Sequence, residues 1–274
     1  MVLQEPALKV LESTSRTFYL PITWLPTNLQ EAVGSAYLCM RAIDEIEDHP
    51  GLDSSIKIEL LRAVSGHLQT GDFGHTGLRP VFTNYMNILP EVTLRLEEWL
   101  LIAPTEIAPR IWDATAAMAD RMARWATIRW AITTEADLNA YTFSVAGTVG
   151  LLLSDLWAWY DGTQTSRSSA VGFGRGLQAV NILRNQVEDQ ARGVNFFPSG
   201  WSREDMQEYA KRNLALADSY VEALSTGPAL EFCGFILALA YATLDALTLG
   251  NGKLSRGVVL EIADRVHYKG LLAP

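Results

Sequence analysis

The spacing of apolar residues predicts helices along almost the whole chain. From residue 28 to 48 an apolar side chain recurs every three or four positions, at Leu29, Val33, Ala36, Met40 and Ile43, which is typical of an amphipathic helix. Similar stripes predict helices over 54–69, 80–101, 107–131, 135–160, 167–191, 203–225, 229–249 and about 254–268. No long run alternates with period two, so the pattern predicts an all-α protein.

Composition supports a globular protein. The 274 residues are 49% hydrophobic and 19% charged, and they contain no internal repeat or low-complexity linker, so we expect a single domain over 1–274. The formal net charge of -9 argues against a nucleic-acid partner, because phosphate backbones attract basic surfaces.

The cysteines and the longest apolar run bear on where the protein works. Cys39 and Cys233 lie in apolar helical contexts without a CxxC pair, so both are expected to be reduced core residues of a cytoplasmic protein. The N-terminus lacks a signal-peptide pattern. The longest apolar run, 232–244, is shorter than a membrane span, which predicts a buried helix and no integral membrane segment.

A first acidic cluster ends the helix predicted over 28–48. Asp44 and Asp48 are four residues apart and share a helix face, with Tyr37 and Arg41 on the same side. One interpretation is a solvated helix end that carries surplus acid. The other is a Mg²⁺ site, because this cation typically binds one or two carboxylates together with substrate phosphates.

A second polar cluster lies on the helix predicted over 167–191. Asn181, Asn185 and Asp189 follow one another at four-residue spacing on one face; Gln178 and Glu188 lie beside it, and Arg184 lies at its margin. Considered alone, this cluster could be a buried hydrogen-bonded network between helices. Considered with the first cluster, it predicts two helices whose oxygen ligands hold metal ions that bind a diphosphate.

Five segments in this order resemble the squalene/phytoene synthases, which join prenyl diphosphates head to head. The segments are 15–18 (SRTF), 37–48 (YLCMRAIDEIED), 141–150 (YTFSVAGTVG), 178–189 (QAVNILRNQVED) and 241–244 (YATL). The similarity extends from about residue 15 to about residue 249. It implies the all-α isoprenoid synthase helical bundle with a central cavity, and Mg²⁺ as the cofactor.

The resemblance also implies a role for each matching side chain. Mg²⁺ ligands would be Asp44, Asp48, Asn185, Asp189 and Glu188, with Glu45 or Glu47 in support. The diphosphate would contact Arg16, Arg41, Arg184, Asn181, Gln178 and Tyr241. Tyr37 and Tyr141 would act in catalysis beside the three aspartates, orienting phosphate or stabilising cationic intermediates.

The chain departs from the family pattern at two places in and after the second motif, and also at Thr14, where relatives often have histidine. Asn185 stands where the second motif normally has aspartate, so that a ligand there brings no charge. The family usually has Gly-Arg-x-Tyr after this motif, whereas the chain has Gly193-Val194-Asn195-Phe196. A site that lacks one carboxylate, one arginine and one tyrosine is less equipped for two diphosphates, which favours a substrate pair with only one.

Three functions follow as hypotheses. The favoured one is a Mg²⁺-dependent prenyltransferase that ionises a short allylic prenyl diphosphate, such as dimethylallyl diphosphate, and alkylates a hydrophobic or aromatic, carbazole-like acceptor. The alternative is head-to-head condensation to squalene, dehydrosqualene or phytoene. The third is a non-catalytic relative that serves in binding or assembly. The glycine-rich segment GFGRG at 172–176 is not preceded by a predicted strand, so it does not indicate a dinucleotide site.

Overall fold

The computed structural model describes residues 3–71, 77–224, 226–250 and 254–268, and in these ranges it contains helices and no strand. By its internal contacts the chain divides into two compact units, Met1–Trp130 and Ala131–Pro274. The α-helices are α1 Glu5–Thr14, α2 Arg16–Thr23, α3 Thr27–Asp48, α4 Ser54–Thr70, α5 Arg79–Phe82, α6 Glu91–Leu94, α7 Leu96–Leu100, α8 Ala108–Thr127, α9 Glu135–Thr142, α10 Thr148–Asp161, α11 Arg167–Ala191, α12 Arg203–Glu222, α13 Pro228–Thr248 and α14 Arg256–Ala263. The predicted single domain stays a prediction.

Most predicted helices are confirmed, and two are corrected. The helix predicted over 80–101 is wrong: the segment forms α5, a 3₁₀ turn, α6 and α7, because Pro90 has no N–H to continue a helix. The helix predicted over 107–131 ends at Thr127, after which Arg129 and Trp130 adopt positive φ of 52° and 50°. The short helices α1 and α2 were not predicted.

In the unit Met1–Trp130, α3 is the central helix. It packs against α8, α6, α7 and α4, and α4 packs along α8. Leu38, Ile43 and Ile46 on α3 are fully buried, so the apolar stripe of the sequence is its core face. This packing fixes the helix whose last turns carry Asp44 and Asp48.

In the unit Ala131–Pro274, α11 is the central helix. It packs against α12, α10 and α13 and against a π-helical segment, Phe143–Gly147, that joins α9 to α10. The glycines of GFGRG explain the close approach: a Cβ built on Gly174 would lie 2.1 Å from the Ala146 carbonyl oxygen, and one on Gly172 would lie 2.3 Å from the Leu216 Cβ. The segment is thus a helix-packing surface.

The run 135–161 is continuous despite its wide turn. A capping box at Thr134 begins this run at α9. A second capping box, at Ser202, begins α12. Inside the run, Ser144 Oγ donates to the Ala140 carbonyl at 2.7 Å and Thr148 Oγ1 to the Ser144 carbonyl at 3.2 Å. These hydroxyls bond carbonyls that the π turn would otherwise leave less well paired.

Helix α13 is longer than the apolar run inside it. Among the described residues it is the one helix whose length and mean hydropathy of 1.6 would suit a membrane span. Half of that window is buried inside the protein, and the core helix of a soluble protein meets the same criteria. Cys39 and Cys233 are both buried free thiols, as predicted for core residues.

Candidate active site

The first acidic motif lies on the last turns of α3. Asp44 and Asp48 are one helical turn apart, as the sequence predicts. The Arg41 guanidinium donates to Asp44 Oδ2 at 3.4 Å and makes a shorter contact with Glu45. One arginine therefore pairs with two of the four carboxylates in this motif.

The environment of Asp44 disfavours its charged form. Burial, and after it the negative charge of Asp48, raise the pKa of Asp44 to about 7 although Arg41 opposes both effects. The side chain keeps 37% of its surface accessible, so a ligand can still reach the carboxylate. A divalent cation between Asp44 and Asp48 would relieve their repulsion.

Tyr37 lies one turn before Arg41 and faces the N-terminal helices. Burial raises the pKa of Tyr37, while hydrogen bonds with the Ser15 and Thr14 side chains act in the opposite direction. Its ring packs on Phe18 with 5.3 Å between centroids. The phenol is therefore neutral at pH 7 and able to donate a hydrogen bond. Arg16 begins α2, but its side chain lies outside the described part of the structure.

Glu47 is buried and hydrogen-bonded. Trp130 Nε1 donates to its Oε1, and Lys57 Nζ donates to its main-chain carbonyl at 2.6 Å. Lys57 Nζ also lies 5.7 Å from the centroid of the Trp130 ring. The sequence suggested Glu47 only as a supporting residue, and it gave no sign of Trp130, which is 83 residues away.

On α11 the amide side chains form a compact network around one arginine. Arg184 donates to Asn181 Oδ1 at 2.7 Å and to Asn185 Oδ1 at 3.2 Å. Asn185 Nδ2 also donates to Asn181 Oδ1 at 3.2 Å. The predicted face therefore exists, and the oxygens that it would offer to a metal are already hydrogen-bonded to an exposed cation.

Asp189, the one aspartate in the second motif, is buried and paired. Arg192 Nη2 donates to its Oδ1 at 2.5 Å, and 9% of the Asp189 side chain is accessible. Glu188 is exposed and Gln178 is partly buried on the same helix. Arg192 was not among the predicted site residues, although its spacing of three from Asp189 could have indicated the pair.

Tyr141 is buried at the end of α9 and stacks on the loop after α11. Its ring and that of Phe196 are 4.6 Å apart with an interplanar angle of 19°. Phe196 holds the position where the family resemblance implies tyrosine, so an aromatic ring is kept there without its hydroxyl. This contact connects the motif at 141–150 with the segment that follows Asp189.

Tyr241 lies apart from the amide face. Its hydroxyl donates to Asp218 Oδ2 on α12 at 2.6 Å. Asp218 is close in sequence to Leu216, which contacts Gly172, and Gly172 precedes Asn185 by about 20 Å along a helix. The structure therefore does not bring Tyr241 to Asn181, Asn185 and Asp189, and its predicted diphosphate contact stays a prediction.

The donor set fits a hard divalent cation that shares its coordination with a substrate. Among the described residues, no three His, Cys, Asp or Glu side chains gather into a metal cluster. Mg²⁺ seldom needs such a cluster, because one or two carboxylates, water and substrate phosphates complete its octahedron. Asp44 with Asp48, and Asp189 with the Asn185 amide oxygen, are donors of this kind.

Comparison with known proteins identifies the family. The family model described as squalene/phytoene synthase matches residues 11–209. The squalene synthase of Bos taurus is 28% identical over 92% of the chain, and squalene synthase ERG9 of Candida albicans is 29% identical over 92%. The chain spans 65% and 63% of the length of these two relatives.

Solved structures share the fold. The complex of TcSQS with the ligand E5700 superposes with a TM-score of 0.77 at 21% identity, covering 94% of this chain and 84% of that one. A dehydrosqualene synthase in complex with a ligand has a TM-score of 0.70 at 17% identity, covering 97% and 96%. These likenesses confirm the all-α isoprenoid synthase fold, and with the family match they lead to one conclusion: the chain belongs to the squalene/phytoene synthase family.

Proposed function

We propose that the protein is a Mg²⁺-dependent prenyltransferase that condenses two prenyl diphosphates head to head. The proposal rests above all on the Asp44–Asp48 pair, two carboxylates one turn apart whose mutual repulsion contributes to raising the pKa of Asp44 to about 7. The similarity to squalene synthases favours this reaction over transfer to an aromatic acceptor. This proposal reverses the preference in the sequence analysis, which favoured transfer to an aromatic acceptor over head-to-head condensation.

The chain's own residues supply binding and orientation in this reaction. Bound Mg²⁺ would neutralise the negative charge that the diphosphate gains when the bond between its oxygen and the allylic carbon breaks. Asp44 and Asp48 on α3 would supply one set of Mg²⁺ ligands, and Asp189 with Asn185 on α11 would supply another. Arg41 and Arg184 would donate to phosphate oxygens in place of their present partners.

The aromatic side chains would act on the organic part of the substrate. Tyr37, neutral because burial raises its pKa, would orient a phosphate by donating a hydrogen bond. The buried rings of Tyr141 and Phe196 would present apolar surface to the prenyl cation. With the first diphosphate released at ionisation, the double bond of the second prenyl diphosphate would attack the prenyl cation to form the new carbon–carbon bond, and the resulting cation would lose a proton.

A second candidate function is transfer of one prenyl group to a neutral aromatic acceptor. The observation that favours it is the amide network: Asn185 supplies no charge, and its oxygen accepts from Arg184 at 3.2 Å. Phe196 and Val194 further reduce the polar groups available for a second diphosphate. An electron-rich ring would attack the prenyl cation and lose a proton.

A product assay separates these functions. Purified protein would be incubated with Mg²⁺ and dimethylallyl, geranyl, farnesyl or geranylgeranyl diphosphate, with and without NADPH, and with or without electron-rich aromatics such as carbazole. We expect hydrocarbon from farnesyl or geranylgeranyl diphosphate alone. Turnover only when an aromatic is present would establish the second candidate, and no Mg²⁺-dependent binding of any prenyl diphosphate would indicate a non-catalytic relative.

A further inference from the structure

The end of α11 holds Arg192 in a defined place. The Arg192 N–H bonds the Asp189 carbonyl at 3.0 Å, and the Val194 N–H bonds the same carbonyl at 3.0 Å. Gly193 between them has φ of 77°, the left-handed conformation that favours glycine. This helix cap fixes the Arg192 backbone one turn beyond Asp189, so that its side chain points back along the helix.

The Asp189–Arg192 ion pair differs from an ordinary surface pair. The Asp189 side chain is 9% accessible and that of Arg192 is 33% accessible, so the carboxylate is largely removed from water while the guanidinium reaches solvent. A buried carboxylate requires a positive partner. Anything that displaces Arg192 must therefore bring positive charge of its own.

We propose that Arg192 is a further diphosphate-binding residue, which neutralises Asp189 in the free protein and turns to the diphosphate when Mg²⁺ takes its place. The inference rests on the proposed function, because it requires Asp189 to be a metal ligand. A guanidinium suits this exchange, since it binds carboxylate and phosphate oxygens with the same planar donor pattern.

The neighbouring sequence makes Arg192 the cation best placed for this role. Residues 193–202, between Gly193 and Ser202, contain no lysine or arginine. Arg203, the next cation, donates to Gln186 Oε1 at 2.8 Å. Arg184 is bonded to the neutral amides Asn181 and Asn185, whereas Arg192, three residues after the second motif, pairs with the carboxylate of Asp189.

This exchange predicts opposite effects on two ligands. In the free protein Arg192 and Mg²⁺ compete for Asp189, so Arg192→Gln should bind Mg²⁺ alone more tightly. In the complex with both ligands Arg192 would bind phosphate oxygens, so the same variant should bind inorganic pyrophosphate with Mg²⁺ more weakly. A purely structural ion pair would not change the two affinities in opposite directions.

Calorimetric titration of the full chain tests this directly, without turnover. For Arg192→Gln we expect Mg²⁺ affinity to rise a few-fold and pyrophosphate affinity at saturating Mg²⁺ to fall about tenfold. Arg192→Lys should recover part of the pyrophosphate affinity. The matched control is Arg203→Gln, which removes a nearby arginine that pairs with an amide and should leave both affinities unchanged.

A double-mutant cycle tests whether the effect passes through Asp189. In an Asp189→Asn background, Arg192→Gln should no longer tighten Mg²⁺ binding. Normal binding by the wild type with no change in Arg192→Gln, or a parallel fall in both affinities, would overturn the role of Arg192 alone. A wild-type protein that binds neither Mg²⁺ nor pyrophosphate would overturn the proposed function and this inference with it.

Discussion

Single residues in the first motif differ in what they can offer a ligand. Asp44 remains accessible, whereas Glu47 is 6% exposed and bonded to Trp130. Trp130 reaches Glu47 because its backbone adopts a positive φ, which is uncommon for a bulky residue and costs free energy. We therefore expect the Glu47–Trp130 contact to hold the end of α3 in place.

Replacing Trp130 tests that contact. Trp130→Phe keeps a large ring but removes the donor to a buried carboxyl, so we expect the free energy of unfolding to fall by about 1–3 kcal/mol. The matched control is Trp112→Phe, whose indole donates to the Leu100 carbonyl at 3.3 Å from a half-buried position and should matter less. Denaturant unfolding without divalent metal measures both variants.

The Trp130→Phe effect should depend on pH. Burial, together with the charges of Asp48 and Asp44, raises the pKa of Glu47 to about 8. Because the folded-state pKa lies above the unfolded value, the stability from Glu47 is present below about pH 4.5 and lost as pH rises through 8. Removing the indole donor raises this pKa further, so the deficit of the variant should be larger at pH 9 than at pH 6. An equal deficit at both would contradict it.

Two substitutions test the metal assignment. Asp48→Ala removes a ligand charge and should lower Mg²⁺-dependent turnover by at least about 100-fold. Asn185→Asp adds a charge and should retain diphosphate-dependent activity. Steady-state kinetics at several Mg²⁺ concentrations measure both, and full activity of Asp48→Ala would exclude the proposed role of the first motif.

The sequence predicted part of this site and missed part, for a physical reason. Four-residue spacing on a helix was enough to place Asp44 beside Asp48 and to align Asn181, Asn185 and Asp189. The partner of Glu47 depends on how α8 ends and on contacts between residues far apart in sequence. Periodicity does not describe such contacts, so Trp130 was missed.

At the scale of helices, backbone contact sets the geometry around α11. A Cβ on Gly150 would lie 2.0 Å from the Ala170 carbonyl oxygen, just as one on Gly174 would approach that of Ala146. Both obstacles are main-chain atoms, so neither can move without shifting a helix. The sequence shows these glycines within recognisable segments, but their role in packing depends on which helices lie against them.

Glycine-to-alanine substitutions should therefore differ sharply by position. Gly174→Ala should reduce the free energy of unfolding by roughly 2–3 kcal/mol, because overpacking forces helices apart. The control Gly66→Ala lies at an exposed position of α4 with nothing within 4 Å of the added Cβ, and it should stabilise by about 0.5–1 kcal/mol. Chemical denaturation decides, and equal effects would contradict the close contact.

Helix boundaries show where sequence reasoning succeeds at this scale. The predicted helices over 28–48, 167–191 and 229–249 agree with α3, α11 and α13 to within a residue or two. The segment 80–101 failed because its apolar residues have helical spacing although Pro90 and the preceding turn interrupt the hydrogen bonds. An apolar stripe indicates which face of a segment is buried. It is less informative about whether the segment forms one uninterrupted helix.

At the scale of the molecule, the two compact units raise the question of cooperativity. We predicted a single domain, which requires Met1–Trp130 and Ala131–Pro274 to unfold together. Differential scanning calorimetry should then give one transition whose calorimetric and van't Hoff enthalpies agree. Two separable transitions would show that the units fold independently.

The charge of the whole chain limits how it can bind an anion. With a net charge of -9, attraction of a diphosphate depends on local cations. Arg41, Arg184 and Arg192 each contact an acid or amide of the two motifs. An anion that binds these arginines would therefore have to compete with the carboxylate and amide oxygens that they now contact. The expected cytoplasmic location stays a prediction.

The wide turn at Phe143–Gly147 affects where homologous sequences can tolerate an insertion or a deletion. A π turn holds one more residue than the α turn it replaces. Loss of one codon there would therefore convert it to an ordinary α turn, and α9 and α10 would continue as one regular α-helix. Loss of a codon within either helix would rotate everything beyond it by about 100° and turn buried faces toward water. Within 135–161, single-residue insertions and deletions among homologues should therefore collect at this turn.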